Sequence, residues 1–280
     1  MRFFIPALMF SLLLTGACKR IQVPTPEVNV AQVKEITLDP NAAVWDNVSL
    51  HASKMILQDL VEPRLLEAST PDIQVKAITN GTEIAFRLEW PDETQSDMPG
   101  PKHFMDGCAV QLPAKVDPNV PAPQMGETGK TVEISFWRAD WQAIVEGRAD
   151  NINALYPNAS IDHYPSEAKP LENDPKAQAE AALRYAPARA LGNRRAGPRD
   201  QPVEDLIAEG PSTLSPAPNA ISKGKGIKTK KGWAVVISRP LPAGFSVSTP
   251  SQIAFAIWEG SHIEVGARKM RTGWVPLIMK

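Results

Sequence analysis

The sequence predicts an all-β protein, an antiparallel β-sandwich with long loops and a few short helices. Three observations carry that prediction. Short segments that alternate polar and apolar residues recur along the 280-residue chain, with turn signals between them and few helical patterns. Asn80-Gly81 falls between two such segments, the strongest local signal for a β-hairpin. The 27 prolines collect in the connections, as expected of a strand-rich core with elaborate loops.

In chain order, residues 1–18 read as an export signal: Arg2 supplies a positive charge, Phe3 to Leu14 a short apolar run, and Thr15-Gly16-Ala17-Cys18 the small residues of a cleavage site. About a dozen apolar residues are too few to span a bilayer. The small residues before Cys18 resemble a bacterial lipobox, so Cys18 is the expected lipidation site and an exported, periplasmic protein tethered by its N-terminus is the expected location. Residues 19–35 form a tether that leads into a first strand, and residues 36–280 form the domain. Asn41 to Leu50 carries Trp45-Asp46 and then a strand. Ile73–Ile78 and Glu83–Trp90 form the hairpin, and the second of these alternates as a half-buried strand should. Further strands are expected at Cys108–Leu112, Val132–Arg138, Trp233–Pro240, Ile253–Trp258 and Trp274–Met279. Residues 141–222 interrupt the rhythm as a long excursion, with a helix expected at Ala177–Tyr185.

Composition narrows the function. A net charge of -1 gives no electrostatic basis for nucleic-acid binding. No other stretch is long and apolar enough to cross a membrane. With Cys18 at the processed terminus, Cys108 stands alone in the apolar setting Gly107-Cys108-Ala109-Val110, where a thiol acts as a small hydrophobe. Covalent haem attachment through Cys-x-x-Cys-His and cysteine-ligated zinc or iron–sulfur centres are excluded. The chain has no Gly-x-Ser-x-Gly, phosphate loop or His-Glu-x-x-His, so substrate chemistry is not expected of it. His51, His103, His163 and His262 show no ligand-pair spacing and read as structural or surface residues. Asp92, Glu93, Asp97 and Asp106 are loop carboxylates that could face a partner or a metal.

Two blocks remain. Pro123-Gln124-Met125-Gly126 runs into Thr131-Val132-Glu133-Ile134-Ser135-Phe136-Trp137-Arg138-Ala139-Asp140. Ile253-Ala254-Phe255-Ala256-Ile257-Trp258-Glu259-Gly260 is followed by Gly266-Ala267-Arg268-Lys269-Met270 and Trp274, and Pro202–Gly210 adds a third, shorter match. Together these resemble the haem b-binding γ subunits of periplasmic molybdenum enzymes: ethylbenzene and dimethylsulfide dehydrogenases, selenate and chlorate reductases, and nitrate/nitrite oxidoreductases. The resemblance covers roughly residues 40–280. The loop His262-Ile263-Glu264-Val265 is more decorated than is usual in that family.

The resemblance implies a non-covalent haem b whose iron is held by Met125 and Lys269. Chemically, a thioether tends to raise the reduction potential, and a lysine must shed its proton before it can bind a metal, which burial favours. Gly126 would let the backbone turn so that Met125 projects inward. The family implies a non-catalytic electron-transfer subunit. Its partners would be a molybdenum catalytic subunit, an iron–sulfur subunit, and a soluble cytochrome c or the membrane redox pool. The same architecture also resembles family 9 carbohydrate-binding modules, which leaves a haem-free glycan-binding module as the alternative. Most of the tryptophans that would stack on sugars, Trp90, Trp137, Trp233 and Trp258, fall in strand patterns and read as core.

Overall fold

The computed structural model describes residues 22–160, 171, 173–185, 193, 195 and 197–280. Its strands are β1 (Val28–Gln32), β2 (His51–Lys54), β3 (Ile56–Leu57), β4 (Asp72–Thr79), β5 (Glu83–Pro91), β6 (Gly107–Pro113), β7 (Val132–Arg138), β8 (Val203–Ala208), β9 (Ser215–Pro216), β10 (Lys223–Lys228), β11 (Gly232–Pro240), β12 (Ser251–Trp258), β13 (Met270–Arg271) and β14 (Val275–Met279). The helices α1 (Ala139–Val145), α2 (Ile152–Leu155) and α3 (Pro175–Tyr185) are short. None among the described residues is long and apolar enough to cross a membrane.

The strands form a β-sandwich. One sheet runs β10-β11-β5-β4-β1-β14, with β2 sharing the β1 side of β4; the other runs β12-β6-β7-β8-β9, with β13 and β3 beside β12. β12 belongs to both sheets. Ser251–Ile253 pair with β14, whereas Ala254–Trp258 pair with β6. Pairing is antiparallel except at β1, which runs parallel to both β4 and β14 and so departs from the purely antiparallel expectation. The main core lies between the layers, where Phe86, Leu88 and Val235 of one sheet meet Val110, Leu112, Trp137 and Phe255 of the other.

The predicted hairpin forms at β4–β5. Asn80 Oδ1 accepts hydrogen bonds from the Thr82 and Glu83 amides, and Gly81 takes the left-handed conformation (φ +94°) that the turn needs. The excursion is less irregular than expected. Its helix forms at Pro175–Tyr185, but Val203–Ala208 is a strand paired along its length with β7. Its two acidic residues hid it from apolar periodicity. Glu204 is satisfied by Arg195 at 2.7 Å, and Asp205 accepts from the Ile221 and Ser222 amides at 2.8 Å each.

Strand alternation gives the second sheet two buried faces. In β6, Cys108, Val110 and Leu112 enter the main core, and Ala109 and Gln111 point the other way. In β12, Ile253, Phe255 and Ile257 face the core, with Ala254, Ala256 and Trp258 on the reverse. In β7, Trp137 faces the core and Ile134, Phe136 and Arg138 the reverse. That reverse face is the floor of a cavity.

Candidate functional site

The cavity has a volume of about 490 Å³, within the range that binds a cofactor-sized molecule. Its floor is lowest where Ala256 stands opposite Ala109 across the ladder, with Ala254 on the same face of β12. Ile134, Phe136 and Leu206 extend it, and Trp258 packs against Phe136 with ring centroids 4.8 Å apart. The result is a broad apolar slot, which suits a flat ligand better than a branched one. The sequence does carry a signal for it: Ile253-Ala254-Phe255-Ala256-Ile257 alternates large and small rather than apolar and polar.

Met125 stands over this floor on the loop between β6 and β7. The loop is fixed at four points. Trp274 Nε1 donates to the Pro121 carbonyl at 2.6 Å and Gln111 Nε2 to the Pro123 carbonyl at 3.0 Å. The Gly126 amide donates to the Ala122 carbonyl, and the Gly210 amide to that of Met125. Met125 itself is left-handed (φ +67°), which costs an L-residue about 1–2 kcal/mol, and Gly126 follows at φ +83°. Such strain persists where the surroundings over-determine it and often marks a functional side chain. A Cβ on Gly126 would lie 2.8 Å from the Lys130 carbonyl oxygen and 2.9 Å from that of Ala208. Gly126→Ala should therefore destabilise the protein by on the order of 2 kcal/mol. Urea unfolding should show a lower midpoint at unchanged slope, and an unaltered midpoint would contradict this account of the loop.

Lys269 approaches from the opposite wall, in the loop between β12 and β13. Gln58 braces this loop: its amide donates to the Lys269 carbonyl at 3.1 Å and its Nε2 to the Ala267 carbonyl at 3.1 Å. Trp258 Nε1 donates to the Gly266 carbonyl at 3.1 Å, and Lys269 Nζ lies 5.1 Å from the Trp258 ring centroid. The ammonium and the Met125 thioether meet over the floor, with Nζ and Sδ 4.0 Å apart. Burial first, and the positive charge of Arg271 second, lower the Lys269 pKa from 10.5 to about 8. Two residues 144 positions apart in sequence are thus brought face to face, and the lysine is set closer to its neutral, donor form.

The other predicted residues fall into place differently. His51 is buried and satisfied, its Nδ1 against the Thr25 carbonyl and its Nε2 against Ser53 Oγ, and burial lowers its pKa. His103 lies at the cavity edge with Nδ1 near the Met98 carbonyl, and His262 is exposed and outside the cavity. Cys108 is a buried free thiol whose pKa burial pushes up, leaving it chemically inert. Cys18 and His163 lie outside the described residues.

Of the four loop carboxylates, Asp92 and Asp106 come together with Glu259, and one oxygen of each lies within 4.8 Å of the others. The structure uses them as a hydrogen-bonded hub. Asp106 accepts from the Ser96 and Gly260 amides and from Trp233 Nε1, while Asp92 accepts from the Thr94 amide and pairs with Lys228 at 3.3 Å. Burial, with the nearby Asp92 charge, raises the Asp106 pKa to about 7 despite those donors. The hub ties the segment before β6 to the end of β12, behind the cavity wall. Glu93 is exposed, and Asp97 lies by Arg148.

Fold and cavity together define a β-sandwich protein with a ligand slot on the outer face of one sheet. Residues 42–270 match the ethylbenzene dehydrogenase family, and the chain belongs to that family. Among similar proteins is a respiratory nitrate reductase haem subunit, so named, of Haloferax mediterranei. It is 22% identical over 260 residues, spanning 90% of this chain and 72% of the relative. The chlorate reductase γ subunit of Ideonella dechloratans is 23% identical over 264 residues, spanning 89% of this chain and 84% of the relative. Among solved structures, a family 9 carbohydrate-binding module of Caldicellulosiruptor kristjanssonii in complex with glucose aligns over 90% of this chain and 95% of its own. That likeness is distant, at 10% identity and a TM-score of 0.39.

Proposed function

We propose that this chain is a haem b subunit of a multi-subunit respiratory oxidoreductase, with Met125 and Lys269 as the two axial donors. The observation that carries the reading is their meeting at 4.0 Å over the apolar floor. Two metal–ligand bonds of roughly 2 Å each bridge a gap of that size. The donor chemistry fits as well: a soft thioether, and an amine whose pKa has fallen to about 8. When bound, haem supplies a one-electron iron couple. The chain's own part is to hold the ring, keep water from its faces and place it for a partner. Ala109, Ala254 and Ala256 would leave room for a flat ring, Phe136 and Trp258 would give it apolar contact, and the braces from Gln58, Gln111 and Trp274 keep the donors in position.

In this reading the subunit is non-catalytic. It relays electrons between the iron–sulfur subunit of a periplasmic molybdoenzyme and an external carrier, and the names of the two relatives support membership in such a complex. The exported, lipid-anchored location through Cys18 and the organisation into an 18-residue signal, a tether and one domain belong to the same proposal, with Val28–Gln32 of the expected tether taken into the domain as β1, paired with β4 and β14.

The test is the visible spectrum of the full chain expressed in haem-replete cells, oxidised and dithionite-reduced. A low-spin, six-coordinate spectrum with sharp α and β bands in the reduced protein is expected. A protein that stays colourless would overturn the reading and return the glycan-binding alternative.

A further inference from the structure

Four side chains with permanent or readily held positive charge line the cavity: Arg138, Arg195, Lys269 and Arg271. Three have a partner. Arg138 grips Asp140 with two hydrogen bonds at 3.0 and 2.7 Å, Arg195 Nε donates to Glu204 at 2.7 Å, and Lys269 points at Met125. Arg271 is different. Among the described residues its guanidinium has no hydrogen bond and no ion pair, and its Nε is buried with no acceptor. A half-buried guanidinium left unsatisfied is costly unless something with negative charge completes it.

Arg271 is held where it could be completed. It sits on β13, whose backbone is paired on one side with Ala256 of the cavity floor and on the other with Ile56 of β3. Its position is therefore set by the sheet and not by a loop. The acidic residues of the lining make no ion pair with it. Glu62 pairs with Arg64 at 2.8 Å, and Glu264 accepts the Glu259 amide on Oε2 at 3.0 Å while its Oε1 is buried with no partner.

We propose that Arg271 binds a carboxylate on the edge of the tetrapyrrole held between Met125 and Lys269, and so fixes which way round the ring lies in the slot. The inference rests on the haem reading above. Haem b carries two carboxylates on one edge and none on the other, and a planar guanidinium matches a carboxylate with two parallel hydrogen bonds.

The experiment loads the full chain with haem or with haem dimethyl ester, whose two carboxylates are capped and uncharged. It then follows transfer of each to excess apomyoglobin, comparing wild type with Arg271→Gln. Arg271→Gln should release haem about ten- to a hundredfold faster. It should leave release of the diester unchanged within about twofold, with the same Soret band in both proteins. Equal acceleration for both ligands would mean that Arg271 only supports the fold. No acceleration for haem would mean that it does not meet the carboxylate. Either result removes the assignment and leaves the axial pair standing. A wild-type protein that takes up neither ligand overturns both readings together. Should Arg271→Gln not fold, Arg271→Lys keeps charge and stem without the planar fork, and selective loss of the free acid is again the expected outcome.

Discussion

Lys269→Ala protein loaded with haem should lose its six-coordinate low-spin spectrum and show a high-spin one, because no other amine of the described chain lines the cavity. His103 stands at the edge, tied to the Met98 carbonyl, and is not poised to replace it. Met125→His should behave differently. It retains two strong donors and hence the low-spin state, but exchanges a thioether for an imidazole and should lower the reduction potential by on the order of 0.1 V. Acid dependence follows from the same geometry. Ligation by a lysine with a pKa of about 8 displaces a proton only below that pH, so apparent ligation strength should rise about tenfold per pH unit up to pH 8 and then level off. An alanine variant whose spectrum is unchanged would eliminate Lys269 as a ligand, and a potential unmoved in Met125→His would eliminate the methionine.

Trp137→Ala should cost about 3–5 kcal/mol of stability. The indole is fully buried, contacts Trp90 and Trp233 edge-on, and donates from Nε1 to Gln142 Oε1 at 3.2 Å. Its far edge lies so close to Gly226 that a Cβ there would sit 2.3 Å from Trp137 Cζ2. The backbone of β10 is packed directly against the ring, and its pairing with β11 holds it from moving in to fill the space left by truncation. Equilibrium urea unfolding measures the loss. A change below about 1 kcal/mol would show that the site collapses and that the packing described is not rigid.

The same contact explains what the sequence did not reveal. β10 reads Lys223-Gly224-Lys225-Gly226, with glycines at its inward positions, so it has no apolar period to find. Its inward volume is supplied by Trp137 and Val203 from distant segments. β8 hid behind Glu204 and Asp205, which are buried only because Arg195 and the segment after β9 meet them. By contrast β5, β6, β7 and β12 carry their own alternation or apolar run, and the Asn80-Gly81 turn joins β4 to β5 by local chemistry alone. The site was legible in a different way. Neither Met125 nor Lys269 stands out by local pattern, and only the resemblance of whole blocks drew them together. Arg271 carries no signal in the sequence, because an unsatisfied guanidinium is defined by what surrounds it in three dimensions.

β12 is bonded to β14 in one layer and to β6 and β13 in the other. A ladder shared in this way leaves the two layers no independent route to opening, since either must first surrender strands that the other is holding. The protein should therefore open as one cooperative unit rather than shed a sheet, and the amides at the centre of β12 belong with those that exchange only through global unfolding. Because Ala254 and Ala256 lie on that strand, the floor of the slot is as long-lived as the fold itself.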